Sequence, residues 1–356
     1  METKTDHTEI LDRLLCPAFL VKDGIISCAN QAAITRQINI GDPLKPLIGS
    51  GEQEYEGFTS GRLCLSLMIN NVIYLASVTK LENSNLFCLE SDYEDAELRA
   101  FALVSQCLRE PLSEALTLVN SIKQSNTEAN PEWEAKLQSI NRNLHQFHRA
   151  LCNMSDVSSF DHARTSRSEY RNIVSIIDAI MEKASSLISP NLHTLEYHGL
   201  QQEVLGIVDN EKLERAILNL ISNAIKYSPK TSKIIVSLNQ TSGKLYFSVE
   251  NELQNQGTTS IGNLFARYLR EPGLDSMNTG VGLGLTMVRK AAIAHGGALL
   301  VDQPDINSIR FTMSVAVRSK AGDHMHSPVM LPIDYAGGFD HTLVELSDIL
   351  AAEWFE

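Results

Sequence analysis

The run from Glu211 to Pro229, EKLERAILNLISNAIKYSP, decides how the chain is read. Leu213, Ile217, Leu220, Ile221, Ala224 and Ile225 recur at helical spacing and give one buried stripe. Asn219 and Asn223 stand four residues apart, so their amides share a helix face. Two neutral amide oxygens on one face can orient a magnesium ion that carries a polyphosphate, because hard cations prefer oxygen and Mg²⁺ keeps several waters. Lys226, on the next turn, is a counter-charge for phosphate. From this segment alone, an amphipathic helix with two exposed asparagines is the plainer alternative.

Working outward, three more stretches bear on that choice. Gly280-Val281-Gly282-Leu283-Gly284-Leu285 leads directly into a helical pattern over Thr286–Ala294, so its backbone amides and the helix N-terminus are competent to hold phosphate. Leu264-Phe265-Ala266-Arg267-Tyr268 precedes it, and His295-Gly296-Gly297 follows it as a turn. The string from Asp209, D-x-x-x-L-x-R-A-I-L-N-L-I-S-N-A-I-K-Y-S, closely resembles the asparagine box of sensor histidine kinases of the Bergerat ATP-binding fold. The other three resemble that family's second glycine box, the phenylalanine box before its ATP lid, and the turn after its following helix. All four stand in family order and spacing. The resemblance implies ATP and Mg²⁺ as ligands, with Asn219, Asn223, Lys226, Tyr227, Gly280, Gly282, Leu283, Gly284 and Leu285 around the nucleotide. It also implies that Asn223 and Asn219 hold the metal through the nucleotide.

Two places depart from the family pattern. FALVSQCLREPL, Phe101 to Leu112, looks like the phosphoacceptor segment Ser-His-Glu-Leu-Arg-Thr-Pro-Leu, with Ser105, Leu108, Arg109, Pro111 and Leu112 matching. Gln106 stands where the histidine belongs. Cys107 replaces the neighbouring acid, and Glu110 the position tied in the family to phosphatase activity. An imidazole nitrogen is a nucleophile whose proton leaves near neutral pH. A glutamine amide has its lone pair delocalised into the carbonyl and cannot attack a γ-phosphate usefully, so no autophosphorylation is expected at this position. The second departure follows the strand Lys244–Val249. The family has Asp-x-Gly-x-Gly there to receive adenine, whereas this chain reads Asn251-Glu252-Leu253-Gln254-Asn255. Asn251 still offers a carbonyl acceptor, but a charge-assisted bond is roughly twice as strong as a neutral one. The missing glycines narrow the backbone approach.

Composition bounds the rest. The 356 residues suggest two or three domains, and a formal charge of −13 argues against a nucleic-acid partner. Six cysteines without a CxxC pair fit reduced thiols in a cytoplasmic protein better than a disulfide frame or a zinc site. No run is apolar enough for a membrane span, and METKTDHTEI has no signal pattern.

The expected architecture is an α+β multidomain chain. Residues 1–92 read as a small α/β domain with hairpin signals at Asp23-Gly24 and Asn70-Asn71; PAFLVKDGIISCANQAA resembles the opening of a PAS sensor domain, with Asn30 starting a helix. Residues 93–160 read as a two-helix dimerisation hairpin, one seam being Leu98, Phe101, Ser105, Leu108, Leu112, Ala115, Val119, Ile122 and the other Leu137, Ile140, Leu144, Phe147, Leu151, Met154. Two such seams are buried fully only when two hairpins pair into a dimeric four-helix bundle. His145 and His148 on the second helix read as surface histidines. Residues 159–170 read as a polar linker. Residues 161–318 hold the Bergerat-type α/β sandwich, and 319–356 read as a hairpin, with Phe339–Glu345 as a strand, ending in a short acidic helix, a candidate docking element.

The functional expectation is a two-component signalling scaffold of the histidine-kinase family, a pseudokinase with weakened ATP binding. It works as a homodimer or as a heterodimer with another histidine kinase, with a response regulator as a further partner. One alternative is a kinase domain that phosphorylates a histidine on the heterodimer partner. Another is a gyrase-like ATP hydrolase. It is disfavoured because the water-activating glutamate expected four residues before the magnesium asparagine is Asn219.

Overall fold

A computed structural model describes residues 11–14, 16–89, 108, 112, 115–119, 122, 131–158, 168–188, 193–253, 284–317 and 338–355. Two-residue turns with positive φ set the N-terminal unit. Asp23-Gly24 (φ 52° and 76°) joins β1 (Ala18–Lys22) to β2 (Ile25–Ala29). After α1 (Gln31–Thr35), β3 (Ile48–Ser50) and α2 (Glu52–Glu56), Asn70-Asn71 (φ 52° and 62°) joins β4 (Arg62–Ile69) to β5 (Val72–Lys80), and β6 (Asn85–Leu89) follows. Such turns match the strand twist, and Asn, Asp and Gly tolerate them. Asn30 is buried and caps α1. Its Oδ1 accepts from Ala33 N at 2.9 Å and Ala18 N at 3.0 Å, while Nδ2 donates to Leu11 and Cys16 carbonyls.

The second sheet region is the sandwich. α3 (Pro131–Ser158) precedes it, and β7 (Ser168–Asn172) leads into α4 (Ile173–Leu187). β8 (Thr194–His198), β9 (Leu205–Asp209) and α5 (Asn210–Tyr227) come next, then β10 (Lys233–Thr241) and β11 (Lys244–Glu252). α6 (Gly284–Ala294), β12 (Leu299–Asp302) and β13 (Ser308–Ala316) complete it. The strands run β12-β13-β11-β10-β8, and α4, α5 and α6 pack on them. Leu213, Ile217, Leu220 and Ile221 of α5 share one core with Val236, Phe247 and Phe311 of the sheet, the stripe expected from their spacing. Asp209 caps α5 by accepting from Lys212 N at 3.2 Å. The stretch 159–170 is not a linker throughout: from Ser168 it pairs with β9 as a two-stranded ribbon, Tyr170 opposite Ile207.

The N-terminal unit and the sandwich share one eleven-stranded sheet. β4 pairs antiparallel with β12, Cys64 opposite Leu299 and Arg62 opposite Val301. Gly61 makes the approach, with φ 87° and a position where a Cβ would lie 2.2 Å from the Val301 carbonyl oxygen. Glu54 of α2 ties the joint, accepting from Lys244 Nζ at 2.6 Å and from Ser314 Oγ at 2.5 Å. Nothing in the sequence patterning announced this pairing.

In the hairpin segment, Leu112 and Leu116 pack against Leu151 and Leu144 of α3. Leu137 is buried, while Ile140 and Phe147 of the same seam are 47% and 48% exposed in the single chain. The side of α3 adjoining these leucines is buried too. His148 and His145 are 0% and 5% exposed, edge-on to Phe339, with His145 also against Phe355, so neither is a surface histidine. What covers them is the segment 338–355. It forms α7 (His341–Leu346) and a 3₁₀ turn at Ala352–Trp354. Helix forms where a strand was read because Asp340 Oδ1 accepts from Thr342 N and Leu343 N at 2.9 and 3.2 Å. Among the described residues no helix is long and apolar enough to cross a membrane.

Candidate nucleotide site

α5 carries Asn219, Asn223, Lys226 and Tyr227. Asn223 is half-buried, as are Lys226 and Tyr227. Asn219 is fully buried and already engaged: its Oδ1 accepts from Arg149 Nη2 at 3.0 Å, and its Nδ2 donates to the Arg215 carbonyl at 2.8 Å and to Glu345 Oε2 at 3.2 Å. Gly284 opens α6 against this side chain, and a Cβ there would lie 2.6 Å from Asn219 Oδ1. That close approach accounts for the third glycine of the Gly280–Leu285 run. Leu285 is a core residue. Gly280, Gly282 and Leu283 lie outside the described residues, as do Gln106, Cys107, Glu110 and the run Leu264–Tyr268.

Around Asn219 the chain builds a charge network from three distant segments. Arg149 of α3 reaches Glu345 Oε2 at 3.1 Å and Asp348 Oδ2 at 2.6 Å. Arg215 Nε donates to Glu345 Oε1 at 2.9 Å and its Nη2 to Asn153 Oδ1 at 2.9 Å. Lys226 pairs with Asp348. Arg149, Arg215 and Glu345 are 6%, 3% and 0% exposed, so the carboxylate is withdrawn from water and held by two guanidiniums. Burial alone works to raise the Asp348 carboxyl, but Arg149 and Lys226 outweigh it and hold its pKa below the ordinary value. The Lys226 pKa is lowered as well, by burial and by the Arg149 charge, against the pull of Asp348. Three cations thus converge beside Asn219, and two carboxylates of the chain itself occupy them.

Asn251 ends β11 at the place read as the adenine acceptor. It is 2% exposed and its Nδ2 donates to the Glu252 carbonyl at 2.8 Å. Its Oδ1 is buried with no hydrogen-bond partner among the described residues. A buried carbonyl oxygen left unpaired is costly, and an amino donor entering there would satisfy it. Asn251 Oδ1 is therefore open to an amino donor, whereas Asn219 and Lys226 already hold partners from the chain itself. A cavity of about 700 Å³ opens beside the end of β11, lined by Pro229, Glu252, Leu253 and Asp305 to Ser308.

Sequence reasoning missed Arg149, Arg215, Glu345 and Asp348. The one available signal was on α3, where Asn141, His145, His148, Arg149 and Asn153 make a polar strip beside the leucine seam that is buried all the same.

Residues 208–321 match the family of histidine kinase-, DNA gyrase B- and HSP90-like ATPases, which makes the sandwich an ATPase-type domain of that class. The probable sensor protein PcoS of Escherichia coli is 38% identical over 101 residues, 28% of this chain and 22% of that protein. The adaptive-response sensory kinase SasA of Synechococcus elongatus is 27% identical over 262 residues, 64% of this chain and 63% of that one. The full-length ShkA complex with AMPPNP aligns over 62% of this chain and 46% of that one, at 17% identity and a TM-score of 0.47, too distant to carry an argument. Over these stretches the chain is similar to sensor histidine kinases. It spans less than a quarter of the length of PcoS, and likewise of the sensor kinase SilS of Salmonella typhimurium.

Proposed function

We propose that this chain is a cytoplasmic two-component signalling protein that works as a scaffold rather than as a self-phosphorylating kinase. One observation carries the reading: Asn219, which the family resemblance assigns to the magnesium nucleotide, is held by Arg149 of the hairpin helix and by Glu345. Gln106 at the acceptor position supports it, since no amide nitrogen there can take a phosphoryl group. The sheet joint at β4–β12 supports it further. An ATP domain fused edge to edge with the N-terminal unit has less freedom to swing toward an acceptor helix. On this reading the N-terminal unit is a PAS-like input, paired hairpins bury Ile140 and Phe147 in a homodimer or heterodimer, and output passes to a partner kinase or response regulator.

A second reading is favoured by one observation, the buried Oδ1 of Asn251, which has no partner among the described residues. It suits an adenine amino group, and a nucleotide held there with Mg²⁺ at Asn223 could donate its γ-phosphoryl to a histidine of a heterodimer partner, leaving ADP. The deciding experiment is calorimetric titration with Mg·ATP and Mg·ADP beside an Asn223→Ala control, followed by incubation with γ-labelled ATP. The scaffold reading expects no phosphohistidine on this chain, and label retained on its own histidines would overturn it. Binding abolished by Asn223→Ala, with transfer to an added histidine kinase, would establish the second reading.

A further inference from the structure

The segment 340–355 touches two of the polar groups that the family resemblance places around the nucleotide, Asn219 and Lys226, and two arginines beside them. Glu345 lies on Asn219, Arg149 and Arg215, and Asp348 on Arg149 and Lys226. The contact is built from both sides. On α5, Glu214 meets His341 Nδ1 at 2.8 Å. On α3, Arg142 donates to the carbonyls of Ser347 and Asp348, Gln146 to that of Ser347, and Asn141 to that of Phe355. Lys183 of α4 holds Asp340 at 2.6 Å. Leu346, Leu350 and Phe355 sit in the core of the sandwich beneath these bonds.

We propose that this segment is an internal competitor of nucleotide polyphosphate, its Glu345 and Asp348 carboxylates standing on Arg149, Arg215 and Lys226 where phosphoryl oxygens would otherwise sit. The proposal rests on the reading that the α5 pocket takes a magnesium nucleotide. The chemistry of exchange is plain. Guanidinium and ammonium groups donate alike to carboxylate and phosphate oxygens, so one anion replaces the other without rebuilding the cations. A buried ion pair roughly breaks even against its desolvation cost, so the carboxylates fix position more than they add net stability. α7 has six residues, too short to persist once undocked. Segment and polyphosphate therefore exclude each other, and each weakens the apparent affinity of the other by the same factor. Because Arg149 comes from the hairpin helix, the closed arrangement also clamps that helix to the ATP domain, and nucleotide entry releases it.

The test uses the full chain. Affinities for Mg·ATP and for adenosine are measured by calorimetry for the wild type, Asp348→Asn and Glu345→Gln. Glu353→Gln, which removes the same charge from an exposed site on the segment, serves as control. Asp348→Asn is expected to tighten Mg·ATP by about tenfold or more, a factor worth about 1.4 kcal/mol, and to leave adenosine unchanged. Circular dichroism establishes that each variant is folded; Asp348→Asn decides the outcome where Glu345→Gln is not. In the wild type, saturating Mg·ATP is expected to speed amide exchange across 341–350. Equal Mg·ATP binding by wild type, Asp348→Asn and control would leave the nucleotide reading standing and remove the competitor. No binding by any of them at millimolar nucleotide would remove both.

Discussion

Arg149 donates from Nη2 to Asn219 Oδ1 at 3.0 Å, so a helix of the hairpin segment holds the first of the two α5 asparagines, Asn219 and Asn223, across 70 residues of chain. The same guanidinium meets Glu345 and Asp348. One side chain therefore joins hairpin, ATP domain and the 340–355 segment.

That concentration makes Arg149→Ala a severe change. It leaves Glu345, 0% exposed, with one cation instead of two, and strips Asp348 of a partner. Removing one partner of a buried pair costs about 3–5 kcal/mol, because the other charge stays desolvated. Denaturant unfolding is expected to show that loss, with segment 338–355 becoming sensitive to protease first. A loss within the ordinary surface range would mean that Arg215 alone satisfies Glu345.

The joint between the N-terminal unit and the sandwich has its own single point of failure. Gly61 has φ 87°, and a Cβ there would stand 2.2 Å from backbone at Val301. Both backbone strain and collision oppose any side chain, and the obstacle is main chain that cannot rotate away. Gly61→Ala is expected to cost about 2–3 kcal/mol and to open the β4–β12 pairing, read as faster amide exchange at Leu299 to Val301. Unchanged exchange there would show that Glu54, bound to Lys244 and Ser314, holds the edge without the strand contact.

Much of this fold was legible because local chemistry and tertiary context agree. Asp23-Gly24 and Asn70-Asn71 take the left-handed turns that their residue types favour, and Asn30 caps a helix. The α5 stripe lies in the core. Legibility failed where a partner lay far along the chain. The periodicity of α3 marks its leucine seam, but its second buried face is polar, and polar spacing looks the same whether water or Phe339 covers it. Likewise Phe339–Glu345 alternates enough to resemble a strand, and the Asp340 cap together with burial of Val344 and Leu346 decides for helix. At the site, the sequence marks Asn219 and Lys226 as nucleotide-binding candidates; that Glu345 and Asp348 meet them is a fact of packing alone.

The imidazole of His145 makes that packing sensitive to pH. Burial holds its pKa below 6.5, against the opposing effects of its Nδ1 bond to the Asn141 carbonyl and the Asp340 charge. A histidine with a depressed folded pKa is neutral in both states at high pH. As pH falls through about 6.5 the unfolded chain takes up the proton first, so stability is lost from there downward. His193, also depressed by burial, acts in the same direction. His145→Phe, which keeps an aromatic ring between Phe339 and Phe355, is expected to flatten part of the loss in melting temperature between pH 7 and pH 5, the His193 share remaining. An unaltered pH profile would exclude His145 as a contributor.

Asn251 offers the last and sharpest prediction, because its two amide atoms face different chemistry. Nδ2 donates to the Glu252 carbonyl, while Oδ1 is buried without a partner among the described residues. Asn251→Asp restores the carboxylate common in the family, but it also sets an oxygen against the Glu252 carbonyl and buries a charge with no donor among the described residues. In the absence of nucleotide this is expected to cost about 1–3 kcal/mol. An adenine amino group would donate to the new carboxylate more strongly than to the amide, so Mg·ADP should recover part of that loss in Asn251→Asp and raise the variant's melting temperature more than the wild type's. Equal ligand shifts in both proteins would place adenine elsewhere. The cavity lined by Pro229 and Asp305 to Ser308 would then be the next site to probe.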